Sequence, residues 1–200
     1  MSLYYPCTSL VKDAVSITAA TAVAVSQAIE ATSNRTACIK WVNDIYLDEK
    51  KACGILVEGS LPANGSDTGY IVIGIGINVC MPDAGFPPDI ADKATSVFPD
   101  SRDAQRRKVS LAAEIINRLT EYLLHPEERA FAEEYLARSF LPGRTVQVVS
   151  ISGQATDALV VSVEPDFRLR VRYDDGTEEL LRSGEVSLRF LKDGRTRAKK

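Results

Sequence analysis

Residues 40–58 combine a strand-like pattern with residues that strands avoid: KWVNDIYLDEKKACGILVE. The β-branched and aromatic content predicts a β-hairpin, made of a strand over 39–47, a polar turn at 48–50 and a strand over 51–58. Asn43 and Asp44 are poor strand formers in the middle of the first strand, and Gly54 gives up side-chain packing in the second. Broken local rules in one hairpin indicate a functional site.

A third strand is predicted over 70–79, YIVIGIGINV. Side chains alternate between the two faces of a strand, so one face is apolar and carries Ile71, Ile73, Ile75 and Ile77. The other face carries Val72, Gly74, Gly76 and Asn78, a bare floor with a polar edge. Bare backbone accommodates either a flat ligand or a closely packed helix, and the strand alone favours neither.

Several common sites are excluded by the motifs themselves. A dinucleotide fingerprint would need a third glycine where Val79 stands, and no P-loop pattern is present. The four cysteines form no C-x-x-C pair and the chain has one histidine, which argues against zinc and for a reduced, cytoplasmic protein. His125 stands where a helix ends, which favours a capping role.

Net charge and hydropathy limit the classes of binding partner that we expect for this chain. The net charge is −3 and the pI about 5.3, which argues against nucleic acid as the main partner. No signal peptide and no run of 18 apolar residues is found, so we expect no membrane partner.

The rest of the chain divides at Leu141-Pro142-Gly143. Before this boundary, apolar periodicity predicts helices over 12–31, 103–124 and 127–139, with loops over 59–69 and 81–100. After it the period becomes two, which predicts short strands over 145–149, 154–163, 167–173, 178–182 and 185–189. Such closely spaced strands are typical of a small barrel. The expected domains are 1–141 and 142–191, followed by a disordered basic tail over 192–200.

The unusual residues form one chemical set: Lys40, Trp41, Asn43, Asp44, Lys51, Gly54, Gly74, Gly76 and Asn78. The sequence contains no Ser-His-Asp set, Cys-His pair or metal cluster, so a nucleophilic or metal-centred mechanism is not indicated. Lysine, amide and carboxylate groups around a glycine floor suit a flat anion and a magnesium–phosphate unit. The set is typical of a nucleotide-using transferase that works by positioning and charge stabilisation.

The ordered motifs KWVND, KACGILVE and GIGINV resemble those of the biotin–protein ligase family, and the likeness extends over essentially the whole chain. The resemblance implies an α+β fold: a mixed sheet packed with helices, like the class II synthetase-like catalytic domain of that family, and a small C-terminal all-β SH3-like barrel. It also implies a two-step reaction. Biotin and Mg-ATP give biotinyl-AMP and pyrophosphate, and the biotinyl group then passes to a lysine of a biotin carboxyl carrier domain.

By resemblance, Lys51 is the catalytic residue and binds the biotin carboxylate. Gly54, Gly74 and Gly76 form the floor of the biotin pocket. The ATP and adenylate set is Lys40, Trp41, Asn43, Asp44 and Asn78, with Mg²⁺ arriving with ATP near Asp44; core packing is the preferred role for Trp41. Regular alternation places Lys51 and Gly54 on opposite faces, so we expect Lys51 at the strand's start or a β-bulge between them.

The sequence departs from the family in one respect. The family's glycine- and arginine-rich adenylate loop precedes the first strand seen here, and no such stretch occurs in the chain. We therefore expect an N-terminally truncated catalytic domain that carries part of the site. The alternatives are a lipoate or octanoate ligase or transferase, and a non-catalytic pseudo-ligase that binds carrier protein. A homodimer through an exposed sheet is left open.

Overall fold

The computed structural model describes residues 1–7, 14–60, 69–126, 128–182 and 186–190, with the backbone alone at 7, 60 and 186–190. The chain consists of two compact units, Met1–Phe140 and Leu141–Lys200. The first combines a sheet with helices, and the second is built from strands. This arrangement confirms the predicted α+β class with a small all-β unit at its C-terminal side.

The first unit contains an antiparallel five-stranded sheet. Its strands are β1 Ser2–Cys7, β2 Cys38–Lys40, β3 Asp44–Leu47, β4 Lys50–Ser60 and β5 Gly69–Ile77. Their order across the sheet is β1-β5-β4-β3-β2. The long central pair β4–β5 therefore lies beside β3, which follows the KWVN segment directly.

The prediction of a single strand over 39–47 was wrong. The chain turns back at residues 41–43, and β2 pairs with β3 so that Lys40 is opposite Asp44 and Ile39 opposite Ile45. Asparagine favours turns because its side chain forms local hydrogen bonds and tolerates turn conformations. The poor strand formers in the sequence thus mark the end of a turn.

The predicted alternation along β5 is confirmed. Ile71, Ile73 and Ile75 are almost fully buried, at 1%, 0% and 2% exposure. On the opposite face Gly76 is exposed and Gly74 is half-buried. The strand ends at Ile77, two residues before the predicted end, and Asn78 follows it as loop.

The helices are α1 Ala14–Ser33, α2 Ser101–Leu124 and α3 Phe131–Arg138. Helix α1 contacts strands β2, β3 and β4 as well as both other helices, which explains why apolar residues occupy most of its circumference. Its buried hydroxyls bond back to carbonyls one turn earlier, as Thr21 does to Ile17 and Ser26 to Ala22. These bonds within the helix satisfy the buried hydroxyl groups, which therefore need no hydrogen-bond partner on another element.

Several helix boundaries differ from the predictions, and α1 ends at Ser33, two residues later than predicted. Helix α2 begins earlier than predicted because the Asp100 carboxylate accepts a hydrogen bond from the Arg102 amide and caps the helix. Helix α3 begins at Phe131, later than predicted, after turn residues 128–130; residue 127 lies outside the described residues. His125 is the C-cap residue of α2, in line with its predicted capping role.

By length and apolar composition, α1 would be capable of crossing a membrane. However, 67% of the apolar window of this helix is buried within the first unit. A buried core helix meets the same criteria, so this helix is weak evidence for a membrane span.

The second unit is an antiparallel five-stranded sheet. Its strands are β6 Thr145–Ser150, β7 Ala155–Val163, β8 Leu169–Tyr173, β9 Glu178–Leu181 and β10 Val186–Phe190. The order β10-β6-β7-β8-β9 places the last strand beside the first, which is compatible with an SH3-like barrel. Residues 192–200, predicted to be a basic tail, lie outside the described residues.

Candidate active site

The turn at residues 41–43 is fastened to strand β4. The side-chain amide of Asn43 donates to the Ile55 carbonyl at 2.7 Å, and the Ile55 amide donates to the Asn43 carbonyl at 2.9 Å. Trp41 and Val42 are buried at 6% and 7% exposure. The turn therefore has a buried apolar side and a hydrogen-bonded polar side, and it presents Asp44 as the first residue of β3.

A β-bulge brings Lys51 to the face that carries Gly54. Asp44 pairs with Gly54 and Ile45 with Cys53, but Tyr46 pairs with Lys51, so the fully buried Ala52 is an extra residue in β4. The Lys51 ammonium lies 2.6 Å from Asp44 Oδ1. Lys51 is also the second residue of β4, so both alternatives that the sequence left open, the strand's start and a β-bulge, are met.

The backbone of Lys51 is held by a loop on the side where β5 has already ended. The Lys51 amide donates to the Lys93 carbonyl at 2.8 Å, and the Thr95 amide donates to the Lys51 carbonyl at 2.9 Å. Asn78 links strand β4 to this loop, because its side-chain amide donates to the Thr95 carbonyl at 3.1 Å and to the Lys51 carbonyl at 3.5 Å. Both backbone groups of Lys51 are therefore fixed.

An open cavity of about 460 Å³ lies on this face of the sheet. Its lining is made of residues from β1, β3, β4, β5 and the turn: Met1, Ser2, Asn43, Asp44, Lys51, Gly54, Ile55, Leu56, Gly74, Ile75 and Gly76. All the predicted biotin-site residues, together with Asn43 and Asp44 of the ATP set, line this one cavity. Gly54, Gly74 and Gly76 form the floor of the cavity, and Lys51 and Asp44 form its charged wall.

The floor glycines are not explained by packing among the described residues. A Cβ at Gly74 would meet the Leu56 carbonyl at 3.5 Å, and one at Gly76 the Gly54 carbonyl at 3.7 Å, both ordinary contacts. No helix atom of the described chain approaches either position. Of the two explanations left open by the sequence, a ligand is therefore favoured over a closely packed helix. Gly54 differs, because a Cβ there would lie 3.3 Å from Lys51 Nζ.

Three predicted ATP-site residues do not line the cavity. The Lys40 ammonium lies 5.9 Å from the centre of the Tyr46 ring, and burial lowers the pKa of Lys40 although nearby Asp44 acts in the opposite direction. Trp41 lies in the core, the preferred prediction for it. Asn78 binds backbone carbonyls near Lys51, so its amide hydrogens serve the loop.

Leu56 was missed as a site residue. It is 58% exposed, lines the cavity, and shares the face of Gly54 two residues away on β4. The same alternation that singled out the glycines on β5 would have identified it. An exposed leucine beside a glycine floor supplies the apolar wall that a ring or an alkyl chain requires.

The charges of the site suit an anionic ligand. Lys51 lines the cavity beside Asp44, and its side chain is 45% exposed, so its ammonium is accessible to an anion in the cavity. The Cys53 thiol is no nucleophile at neutral pH, because burial and then the Asp44 charge raise its pKa to about 12. Within the described ranges, no group of His, Cys, Asp or Glu side chains is placed to hold a metal ion.

Comparison with known proteins finds a family match over the segment that contains most of the residues lining this cavity. Residues 6–78 match the model of the biotin/lipoate A/B protein ligase family. The chain is 35% identical over 126 residues to the bifunctional ligase/repressor BirA of Bacillus spizizenii, covering 63% of this chain and 35% of that protein. It is 51% identical over 43 residues to BirA of Escherichia coli, covering 22% and 13%. The chain thus spans about a third of the length of its Bacillus relative.

Solved structures show the same fold. The biotin protein ligase of Aquifex aeolicus superposes with a TM-score of 0.71 at 22% identity, covering 95% of this chain and 82% of that one. The same enzyme in complex with biotin and ATP gives 0.66 at 23% identity, covering 95% and 79%. The likeness to the biotin/lipoate A/B protein ligase family is carried by the model match over residues 6–78 and by the identity to BirA. The two Aquifex structures are biotin protein ligases, and the Bacillus and Escherichia relatives are bifunctional ligase/repressors.

Proposed function

We propose that the chain carries part of the active site of a biotin protein ligase, which attaches biotin to a lysine of a biotin carboxyl carrier protein at the expense of ATP. The observation that carries this proposal is the position of Lys51, turned by the bulge toward the glycine floor and beside Asp44. The complexes of relatives with biotin and ATP support the substrates.

In the first step, a biotin carboxylate oxygen attacks the α-phosphorus of ATP and pyrophosphate leaves, which gives biotinyl-AMP. Two anions must approach each other, so a fixed cation between them lowers the barrier. Lys51 suits this task because its backbone is held on both sides and its ammonium faces the cavity. Gly54, Gly74 and Gly76 would admit the flat biotin ring against bare backbone, with Leu56 at its side.

Asn43 and Asp44 are placed to serve the phosphate side of the reaction. Asp44 is the one carboxylate among the lining residues. Protein-bound Mg²⁺ commonly uses one or two carboxylates together with substrate phosphates, so the site fits a cation that arrives with ATP. Such an ion would neutralise phosphate charge, and Asp44 would be its protein ligand. Lys51 would then leave its ion pair with Asp44 and turn toward the acyl phosphate of the adenylate.

In the second step, the amine of the carrier lysine attacks the acyl carbon of biotinyl-AMP and AMP leaves as an amide forms. The amine gives up its proton to solvent, to which the cavity is open on this face of the sheet. We place the reaction in the cytoplasm, consistent with the free cysteines Cys38, Cys53 and Cys80.

A lipoate or octanoate ligase or transferase is the alternative, because the matching family model names lipoate beside biotin. The test is intact-mass analysis of a biotin carrier domain and of a lipoyl domain, each incubated with the chain, Mg-ATP and either acid. A biotin-sized gain on the carrier domain is expected. A lipoyl gain would transfer the assignment to the sister activity.

Failure to modify either domain would be resolved by biotin-dependent exchange of pyrophosphate into ATP. Exchange without transfer would retain the adenylation step and limit the chain to a partial ligase. Absence of exchange, and of biotin binding by calorimetry, would overturn the proposal and leave a pseudo-ligase that binds carrier protein.

A further inference from the structure

Helix α3 and the two residues after it hold the backbone at carbonyls before the site turn and within it. Arg138 Nη1 donates to the Ala37 carbonyl at 3.2 Å, and the Phe140 amide donates to the Ile39 carbonyl at 3.3 Å. The Tyr135 hydroxyl donates to the Val42 carbonyl at 3.1 Å. Strand β2 is at the edge of the sheet and pairs only with β3. The bonds from α3 and the residues after it therefore hold the side of β2 that has no neighbouring strand.

The Tyr135 bond is the one that reaches the turn itself. Tyr135 is fully buried, and its hydroxyl ends on the carbonyl of the residue directly before Asn43. Burial raises the pKa of the phenol, so the hydroxyl remains a donor at every physiological pH. Its partner Val42 is 7% exposed, and a carbonyl buried without a donor is costly.

A short physical path joins this bond to the charged wall of the cavity. Val42 leads to Asn43, whose side-chain amide and carbonyl both bond to Ile55 of β4. Asn43 leads to Asp44, whose carboxylate pairs with Lys51 at 2.6 Å. A turn fixed at Val42 therefore fixes the carboxylate that holds the Lys51 ammonium.

We propose that Tyr135 is a positioning residue for this site: its hydroxyl sets the turn that places Asn43 and Asp44 against Lys51. Tyr135 stands 93 residues from Val42 in the sequence, and the hydrogen bond between them joins helix α3 to the turn. The consequence for catalysis rests on the proposed function, but the consequence for the Asp44–Lys51 pair does not.

The variant that isolates the hydroxyl is Tyr135→Phe, which keeps the buried ring. Tyr122→Phe is the matched control. The Tyr122 hydroxyl also donates to a protein oxygen, Gln27 Oε1 at 3.1 Å, but Tyr122 lies on α2 and does not line the cavity. Asp44→Asn serves as the positive control, since it removes the charge that holds Lys51.

The first readout is the rate at which an amine-acylating reagent modifies Lys51, measured by mass spectrometry relative to the exposed Lys108. Cleavage at glutamate releases residues 50–58, and fragmentation separates Lys50 from Lys51. A loosened ion pair frees the amine, so Tyr135→Phe should raise the Lys51 rate about threefold, in the range of a partly exposed pair. Tyr122→Phe should leave it unchanged.

The second readout is pyrophosphate exchange. Tyr135→Phe should raise the KM for ATP about tenfold with a smaller change in kcat, since phosphate binding depends on the placed turn. If the parent chain itself shows no exchange, the proposed function fails while the labelling still tests the positioning role. Equal Lys51 rates in Tyr135→Phe and Tyr122→Phe would overturn the positioning role, whatever the activity.

Discussion

Lys51 Nζ lies 2.6 Å from Asp44 Oδ1 across neighbouring strands, although regular alternation would turn Lys51 into the core. The difference is the single extra residue Ala52, which occupies the buried side in place of the lysine. A one-residue irregularity thus converts a core position into a charged wall beside a glycine floor. The chemistry proposed for the cavity depends on that irregularity.

Replacing Lys51 tests this dependence directly. Lys51→Gln should lower biotin-dependent pyrophosphate exchange on the order of 100-fold, because it removes the cation that faces the reacting anions. The free energy of unfolding should change by less than about 1 kcal/mol, since the ion pair is partly exposed.

Lys50→Gln is the control for that variant, because Lys50 is adjacent in sequence but does not line the cavity. It should leave exchange unchanged. Equal losses in both variants, measured in initial rates at matched protein concentration, would contradict an individual role for Lys51.

Gly76→Ala separates a ligand floor from a packing requirement. A Cβ at Gly76 meets nothing nearer than the Gly54 carbonyl at 3.7 Å, and the Gly76 φ is not positive, so alanine should fold without strain. Stability in urea should be unchanged or higher by about 0.5 kcal/mol, because alanine restricts the unfolded chain.

Biotin affinity of Gly76→Ala, measured by calorimetry, should nevertheless fall about tenfold or more, because the methyl group occupies the floor. A variant that loses stability but keeps affinity would indicate that Gly76 serves packing. Gly143→Ala offers no clean comparison, since its φ of +84° strains any side chain. Gly85 has the same limitation, with a φ of +75°.

Several features of this site follow from local sequence, and others depend on contacts between distant residues. Gly74, Gly76 and Gly54 break the composition of their own strands, and a β-bulge is one of the two ways in which the sequence allows Lys51 and Gly54 to share a face. The turn at 41–43 was missed because Trp41 and Val42 have strand-like side chains, and their burial in a turn depends on the rest of the core.

The role of Asn78 illustrates the second group. Its amide bonds to Thr95, 17 residues later in a loop whose path has no periodic pattern in the sequence. Tyr135 lies still farther from its partner and belongs to an ordinary amphipathic helix. Neither contact leaves a signal in local composition, so a single sequence indicates the residues of the floor but not the residues that hold the wall.

Thiol reactivity offers a test of burial beneath the site. Cys53 is buried, and burial raises its thiol pKa to about 12, whereas Cys38 and Cys80 are half-buried. At pH 8 an alkylating reagent should modify Cys38 and Cys80 in the native protein well before Cys53. Peptide mapping with a denatured control should show all three equally reactive, and early loss of the Cys53 thiol would contradict the packing beneath Gly54.

Glu30 gives a prediction for the pH dependence of stability. Burial alone would raise the pKa of its carboxyl, but hydrogen bonds from Arg138 and the Ala37 amide outweigh burial and lower the pKa below its ordinary value of 4.5. The carboxylate binds Arg138 at 2.7 and 2.9 Å. A lowered folded-state pKa means that this stabilisation is present above the unfolded value and is lost as the pH falls through the folded value.

Glu30→Gln should therefore lower the free energy of unfolding by about 1 to 2 kcal/mol at pH 7, because it removes a charge-assisted, half-buried interaction. The difference from the parent should shrink as the pH falls below 4.5 and nearly vanish once the pH is below the lowered folded-state pKa, where the parent carboxylate is itself protonated. Glu114→Gln is the matched control, since its more exposed pair with Arg118 spans one helical turn and should cost no more than about 0.5 kcal/mol. Urea unfolding at pH 7, 5 and 3 measures both variants, and a Glu30→Gln deficit that stays constant with pH would show that packing rather than charge holds α1 to α3.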